Sequence, residues 1–253
     1  MHVIEVIDRL RWPVLLASAI LSSTFIAWQL LVSVNFLYPV WHKALHIDDT
    51  VRIYGPQNRN RHGFEQTTDK EHVRLFAAIV HAVVNGGRNL ESLEYRDATG
   101  KPIGLLLTQP EIVHLQDVAR LVGAFKTTGW ISLLVFIGIG MSSRQRQLPK
   151  PALKKSLSYL ALIVALGCGA LLAIGPKAVF YKMHTLIFPL GHQWFFYYQD
   201  SLMTTLMKAP DLFAAIAVEW LLLTMITSAL LLAVLARCIP GRRSGHSPDL
   251  QTS

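Results

Sequence analysis

Cysteine and charge are both scarce in this chain. Of its 253 residues only two are cysteines and 16% are charged, whereas 52% are hydrophobic. Cys168 and Cys238 lie in or beside apolar runs, so no thiol is available for a disulfide framework or an outward-facing nucleophile. A sequence with so little charge is too apolar for an ordinary soluble domain and indicates a membrane protein.

Several catalytic and binding motifs are missing as well. The sequence contains no Gly-x-Ser-x-Gly elbow, no HExxH pair and no glycine-rich phosphate loop. Catalysis would therefore depend on histidine, acting on water or on a substrate that supplies its own nucleophile. An acyl-transfer or hydrolytic site is one interpretation; histidines that only contact lipid headgroups at the interface are the other.

Four apolar runs are each long enough to cross a bilayer, which takes ~20 helical residues. The predicted fold class is an α-helical integral membrane protein with four transmembrane helices and an α+β loop domain between the first two. The predicted division of the chain is 1–13 lead, 14–34 first span, 35–107 loop domain, 108–141 outer helix continuing into the second span, 142–155 basic loop, 156–175 third span, 176–211 outer aromatic re-entrant segment, 212–236 fourth span and 237–253 disordered tail.

The basic residues predict the orientation. The 142–155 connection holds five Lys and Arg residues and no acid, and more Arg residues follow the fourth span. By the positive-inside rule this loop and both termini are cytoplasmic, and the loop domain is extracytoplasmic. The net charge of +8 is thus a topology signal. No basic groove with interleaved aromatics is left over, which argues against a nucleic-acid partner.

The helix predicted from Thr108 to Met141 carries the most informative polar residues. Thr108 and Glu111 have the spacing of a capping box, with Pro110 tolerated in the first turn. His114 and Asp117 then share one face, three residues apart, so that the carboxylate could orient the imidazole. The apolar run begins at Leu121, so this pair is expected roughly 10 Å above it, at ~1.5 Å per residue.

A second histidine is predicted at the same level. His114 lies 27 residues before Met141, and His184 lies 28 residues after Ser156. Two antiparallel helices joined by a short loop would bring both side chains to one height. We therefore expect His114 and His184 within roughly 10 Å of each other, because both must reach one reacting centre.

Within the loop domain, Thr68 and Glu71 predict a second capping box and a helix that ends near Asn85. Residues 90–108 predict a β-hairpin with its turn at Ala98 to Lys101. Tyr38 and Trp41 are typical of an interfacial aromatic belt. A metal site using His42, His46, Asp48 and Asp49 is a weaker alternative to a solvated helix start, because no third ligand stands at a telling distance.

Two blocks of this sequence, EIVHLQDV at 111–118 and MHTLIFPLGHQWFFYYQDSLMTTLMKAPDLF at 183–213, resemble the lipoprotein intramolecular transacylase (Lit) family of four-span bacterial membrane proteins. The matching positions are Glu111, His114, Asp117 and Val118, followed by His184, Phe188, Trp194, Asp200, Leu202, Pro210 and Phe213. Ala119 stands where that family has lysine, with Arg120 as a substitute, and His192 is an insertion.

The resemblance implies a reaction and a location. In a diacylglyceryl-cysteine lipoprotein, the sn-2 acyl chain would move to the cysteine α-amine, giving the lyso-form. The enzyme would be an inner-membrane monomer that needs no cofactor or metal, and its site would face outward toward membrane lipid. The competing classes are a lipid- or lipoprotein-binding protein without catalysis and a metal-handling membrane protein.

The resemblance also implies the site residues. His114, His184 and Asp117 are the predicted catalytic groups. Glu111, Trp194 and Asp200, together with Tyr38 of the aromatic belt, are the predicted substrate contacts.

Overall fold

The computed structural model describes residues 2–146 and 153–239. Their helices and strands are α1 (His2–Ser33), α2 (Tyr38–Ala44), α3 (Ile47–Tyr54), α4 (Asp69–Val84), β1 (Glu94–Arg96), β2 (Pro102–Leu105), α5 (Gln109–Gln145), α6 (Leu153–Ile174), α7 (Pro176–Ile187), α8 (Leu202–Met207) and α9 (Asp211–Cys238).

Four of these helices are long and apolar enough to span a membrane, as the sequence predicted. The apolar stretches are Leu10–Ser33, Gln109–Gln145, Lys154–Ile174 and Asp211–Cys238. The predicted lead is not a separate element, since α1 is continuous through Pro13. Both ends of the predicted 142–155 loop are helical, and its centre, like the tail beyond residue 239, lies outside the described residues.

Helix α1 is the centre of the bundle, with α5 and α9 packed against it. Small residues on α1 allow close approach, and Ala19, Ser22, Ser23 and Ala27 are all buried. The Trp220 indole of α9 donates to the Thr24 carbonyl oxygen at 2.9 Å. In the apolar stretch of α1, 50% of the residues are buried, whereas only 6% are buried in the apolar stretch of α6. Helix α6 therefore stands at the edge of the bundle with most of its surface exposed.

One end of the bundle carries a compact unit that we call the cap, residues 35–107 together with 196–210. Its hydrophobic core contains Tyr38, Phe64, Leu75 and Tyr95, along with Leu202 and Leu206 of α8 and Ile112 and Leu115 of α5. Residues from the predicted re-entrant segment thus complete the core of the loop domain. The first turns of α5 also belong to this unit, which places them above the apolar span that begins at Leu121.

The hairpin and the α4 helix form where the sequence predicted them. Strands β1 and β2 pair antiparallel on either side of the 97–101 turn. Thr68 caps α4 by accepting from the Glu71 backbone N–H at 3.3 Å. The second capping box is only half formed, however, because the Glu71 carboxylate binds Arg74 and the Arg96 backbone N–H instead of returning to Thr68.

The third span ends at Gly175, and a new helix begins at Pro176. Gly175 has a φ of 93°, in the region that favours glycine, and Pro176 occupies the first turn of α7, where its missing N–H costs nothing. The chain therefore breaks into two helices at this point. Because α7 is separate, it presents His184 near its C-terminal end rather than on a continuation of the span.

Candidate active site

Glu111 fixes the start of α5 against the cap. The predicted capping box is present, and Glu111 Oε2 accepts from the Thr108 N–H at 2.5 Å and the Thr108 hydroxyl at 2.6 Å. Its other oxygen accepts from Ser201 Oγ at 2.5 Å. The residue has no exposed surface, so Glu111 joins α5 to α8, and its role as a substrate contact stays a prediction.

His114 lies one turn further along α5, half-buried under aromatic rings. Its ring centroid is 4.8 Å from that of Phe188 and 5.9 Å from that of Phe196. Burial, and secondarily the neighbouring His184, lower the pKa of His114 to about 4, against the opposing effect of Asp117. At neutral pH the imidazole is therefore uncharged and able to accept a proton.

His184 is held on α7 in one tautomer. Its Nδ1 lies 2.8 Å from the Phe180 carbonyl oxygen, which can only accept, so Nδ1 carries the proton. In the neutral ring Nε2 then presents its lone pair. The ring packs between Phe180, Phe188 and Trp194 at centroid distances of 4.0, 5.3 and 4.9 Å. Trp194, a predicted substrate contact, thus lies directly beside this histidine.

The two histidines meet at Phe188. Because both rings contact this one side chain, their centroids are at most about 10 Å apart, within the separation that a shared reacting centre requires. The convergence expected from counting residues is therefore observed. One histidine comes from the helix anchored in the cap and the other from the sparsely packed α6 and α7 arm.

Asp117 does not orient His114, contrary to the sequence-based prediction. Its buried carboxylate binds Arg120 on one oxygen and His192 Nδ1 on the other, the second at 2.6 Å. The i and i+3 spacing on α5 brings Asp117 near His114 without a hydrogen bond. In the described part of the chain, His114 Nδ1 is buried and has no partner.

His192 is a site residue that the sequence analysis did not select. A turn over Pro189 to His192, closed by the His192 N–H donating to the Pro189 carbonyl oxygen at 3.2 Å, carries it to Asp117. Gly191 has a φ of 87° at the third position of this turn, as a tight turn of this kind requires. A Pro-x-Gly turn between two predicted site residues was the only signal in the sequence.

A cavity of about 270 Å³ opens beside these residues, between α5 and the end of α7. Asp117 and Arg120 form its polar end, and its remaining lining residues are Leu121, Ala124, Ile187, Phe188 and Pro189. A mostly apolar cleft with a few convergent polar groups is the usual form of a small-molecule binding site.

Tyr38 and Asp200 lie elsewhere, in structural roles. Tyr38 is fully buried in the cap, stacked on Phe76 at 4.2 Å, and donates to the Leu206 carbonyl oxygen. A side chain inside the cap core is not part of an interfacial belt, and the role of Tyr38 as a substrate contact stays a prediction. Asp200 pairs with Arg59 at 3.1 Å and joins the aromatic segment to the loop after α3.

The histidines considered for a metal site separate into two groups. His42 is buried and lies 2.9 Å from His72, with Asp69 close by. His46, Asp48 and Asp49 form a second, partly exposed group. The predicted set of four is therefore not one site, since His42 turns inward to the cap core while the other three face solvent.

Fold and site together define a multi-pass membrane protein with histidines gathered beside an amphipathic cleft at one end of its bundle. The family model of the lipoprotein intramolecular transacylase Lit matches residues 14–209. The chain belongs to the Lit family. No curated protein sequence matches it.

Solved structures of membrane-integral Lit from Bacillus cereus share this fold. One, a variant with a histidine replaced by arginine, has a TM-score of 0.67 at 17% identity, covering 94% of each chain. A second has a TM-score of 0.64 at 19% identity, covering 92% of this chain and 96% of the other. A variant with a histidine replaced by alanine gives 0.66 at 18%, covering 94% and 96%. At these identities the likeness establishes the fold.

Proposed function

We propose that this protein is a membrane acyltransferase that converts a diacylglyceryl-cysteine lipoprotein to its lyso-form. The acyl chain on the sn-2 oxygen of the glycerol moves to the α-amine of the same cysteine. Family membership supports the reaction class. The observation that carries the assignment is the meeting of His114 and His184 at Phe188, from two different helices, beside an apolar cleft.

The chemistry needs proton transfer and no protein nucleophile. The substrate amine attacks the ester carbonyl carbon, a C–N bond forms, and the C–O bond to glycerol breaks. One proton leaves the nitrogen and one arrives on the glycerol oxygen. Neutral histidines suit this exchange, and the low pKa of His114, about 4, keeps it in that form at pH 7.

We further propose that the substrate's lipid chains lie in the cleft. Its mostly apolar wall suits an acyl chain, and the Arg120 guanidinium at its polar end could donate to an ester or glycerol oxygen. Trp194, packed on His184, would border the reacting ester. Glu111, Asp200 and Tyr38 contribute indirectly, by holding α5, the aromatic segment and the cap in place.

The orientation is also a proposal. Basic residues at the end of α5 and in the connection that follows, and the absence of acids there, support placing that end of the bundle in the cytoplasm. The cap and the histidines would then face outward from the cytoplasmic membrane, where the cysteine of a mature lipoprotein is held by its lipid. A single chain supplies both histidines, which is consistent with a monomer.

The test is conversion of a synthetic diacylglyceryl-cysteine lipopeptide by the purified protein in liposomes. Substrate and product are isomers, so the product is identified by tandem mass spectrometry. An N-linked chain resists mild alkali, whereas ester-linked chains do not. His114→Asn and His184→Asn should each lower the rate by about 10²- to 10⁴-fold. His81→Asn, an exposed histidine on α4, is the matched control and should retain the wild-type rate.

Three results would contradict the proposal. Wild-type protein that binds the lipopeptide without converting it would indicate a binding protein. Activity that requires co-purified zinc or copper would indicate a metal-dependent protein. Folded His114 and His184 variants with wild-type rates would remove these histidines from the mechanism.

A further inference from the structure

Asp117 and His192 form a carboxylate and imidazole pair that the mechanism above does not use. The Asp117 side chain is only 4% exposed, whereas that of His192 is 37% exposed. A buried carboxylate that holds a solvent-accessible imidazole is the arrangement that orients the general base in hydrolases with a catalytic triad. The two residues are 75 positions apart in the chain, so tertiary structure alone creates the pair.

The hydrogen bond fixes the proton of His192. Ionised Asp117 can only accept, so Nδ1 of His192 donates to it across 2.6 Å. In the neutral ring, Nε2 then carries the lone pair. Within the described residues no protein group hydrogen-bonds to this nitrogen, and the exposure of the ring leaves it open to a reactant.

His192 is also anchored next to the proposed reacting centre. It ends the turn that follows Phe188, the ring shared by His114 and His184. Its partner Asp117 lines the cleft, as do Phe188 and Pro189 of the same turn. Its partner Asp117 also binds Arg120 of α5, while His114 lies one turn earlier on that helix and His184 lies on α7, which the turn follows.

The three histidines differ in their suitability as a base. His114 Nδ1 is buried without a partner among the described residues, and desolvation opposes its charging. His184 is oriented only by a backbone carbonyl oxygen. His192 alone has a carboxylate that would stabilise the imidazolium formed when it accepts a proton.

We propose that His192, oriented by Asp117, is a third catalytic histidine and the base that takes the proton from the attacking amine. This inference rests on the proposed acyl transfer. As the C–N bond forms, an N–H proton moves to Nε2 of His192. The resulting His192 imidazolium passes its proton, through neutral His114 or His184, to the glycerol oxygen as the C–O bond breaks, and all the histidines end as they began.

Two substitutions at one position separate catalysis from positioning. The amide nitrogen of asparagine can replace Nδ1, so His192→Asn keeps the donor to Asp117 and removes Nε2. His192→Gln places a group near Nε2 and removes the donor, and neither variant can accept the proton. Both His192→Asn and His192→Gln should lower the conversion rate by about 10²-fold or more. His192→Asn should also keep the thermal midpoint of the wild-type protein, because it retains the donor to Asp117.

The pH profile provides a second readout. A base that is oriented by a carboxylate should give the rate an acid limb, and Asp117→Asn should move that limb while reducing the rate. A purely structural pair would lower the rate at every pH without moving the limb.

Failure of the role assigned to His192 can be distinguished from failure of the proposed acyl transfer. If wild-type protein converts the lipopeptide and His192→Asn keeps more than half of its rate, the pair only positions the turn and the inference is overturned. If wild-type protein does not convert it, the acyltransferase proposal itself fails. An acid limb that stays in place in Asp117→Asn would also overturn the role of His192.

Discussion

The two regions that supply the histidines differ sharply in how they are held. His114 lies on α5, which is clamped by the Glu111 contacts to the cap and packed closely on α1. His184 lies on α7, which follows a nearly unburied α6 and has no fully buried residue of its own. One half of the site is therefore rigidly placed by the protein, and the other half is placed mainly by the contacts of the aromatic cluster.

This difference is consistent with the proposed substrate, whose acyl chains would hold it in the membrane. A site enclosed on every side by tightly packed helices would exclude a molecule with two acyl chains. Here the side formed by the α6 and α7 arm has little protein behind it, so lipid chains can approach the cleft laterally. The tightly packed side supplies the fixed geometry that proton transfer requires.

The largest expected effect comes from a glycine in the packed half. A Cβ at Gly129 of α5 would overlap the side chain of Phe25, whereas one at Gly167 of α6 would meet nothing within 4 Å. Gly129→Ala should therefore cost about 1–3 kcal/mol or more through overpacking, and Gly167→Ala should be neutral. Thermal midpoints in detergent compare the two. Equal midpoints would contradict the asymmetry between the packed half and the arm.

Ser201→Ala tests the clamp on α5. It leaves one oxygen of the fully buried Glu111 without its hydrogen bond and removes the N-cap of α8. The expected cost is about 2 kcal/mol, because a buried charged acceptor is left unsatisfied. Ser158→Ala on α6, an exposed serine that bonds only to its own helix, is the control. A wild-type midpoint for Ser201→Ala would mean that Glu111 does not join α5 to α8.

Acid should destabilise the cap before it affects the arm. Burial, and secondarily the neighbouring His42, lower the pKa of His72 to about 4 from 6.5. The folded state thus binds its proton less readily than the unfolded chain, and stability present above pH 6.5 is lost as the pH falls toward 4. About 2 kcal/mol should disappear between pH 7 and 5.

The measurement is thermal melting against pH, followed by a fluorophore attached in the cap. His72→Gln should reduce the slope of stability against pH in this window, even if it lowers the midpoint overall. An unchanged slope would show that the buried pair is not the source of the acid sensitivity.

The smallest expected effect concerns Phe188, where the packed half of the site meets the α6 and α7 arm. Phe188→Ala removes the ring that both histidines contact, and should lower conversion of the lipopeptide about tenfold with little change in stability, since Phe188 is only half-buried. Leu190→Ala, a fully exposed position two residues on, should change neither. A rate in Phe188→Ala equal to wild type would show that the ring does not align the histidines.

Sequence reasoning succeeded where periodicity and spacing determine structure. The four spans, the Thr108 capping box, the hairpin and the common level of His114 and His184 all follow from local pattern or from counting residues along straight helices. The expected His114 and Asp117 pair failed for a different reason. An i and i+3 spacing allows a contact, but Asp117 had two partners with better geometry, Arg120 and the distant His192.

Burial was the other quantity that local pattern did not predict. Tyr38 has the composition signal of an interfacial aromatic, yet it is stacked inside the cap. Glu111 occupies a motif position, yet its oxygens are used by Thr108 and Ser201. Both outcomes depend on α8, a six-residue helix from a distant part of the chain that completes the cap core. The sequence has no periodicity that predicts this long-range contact.

The central place of α1 has a consequence for biogenesis. Helix α1 leaves the ribosome well before the helices that cover its small-residue face, since α5 follows residues 35–107 and α9 comes later still. Until then the small-residue face of α1, which includes the buried Ser22 and Ser23, lacks the helices that cover it. During synthesis α1 must therefore stay in the bilayer with its packing surface uncovered until α5 and α9 have been inserted.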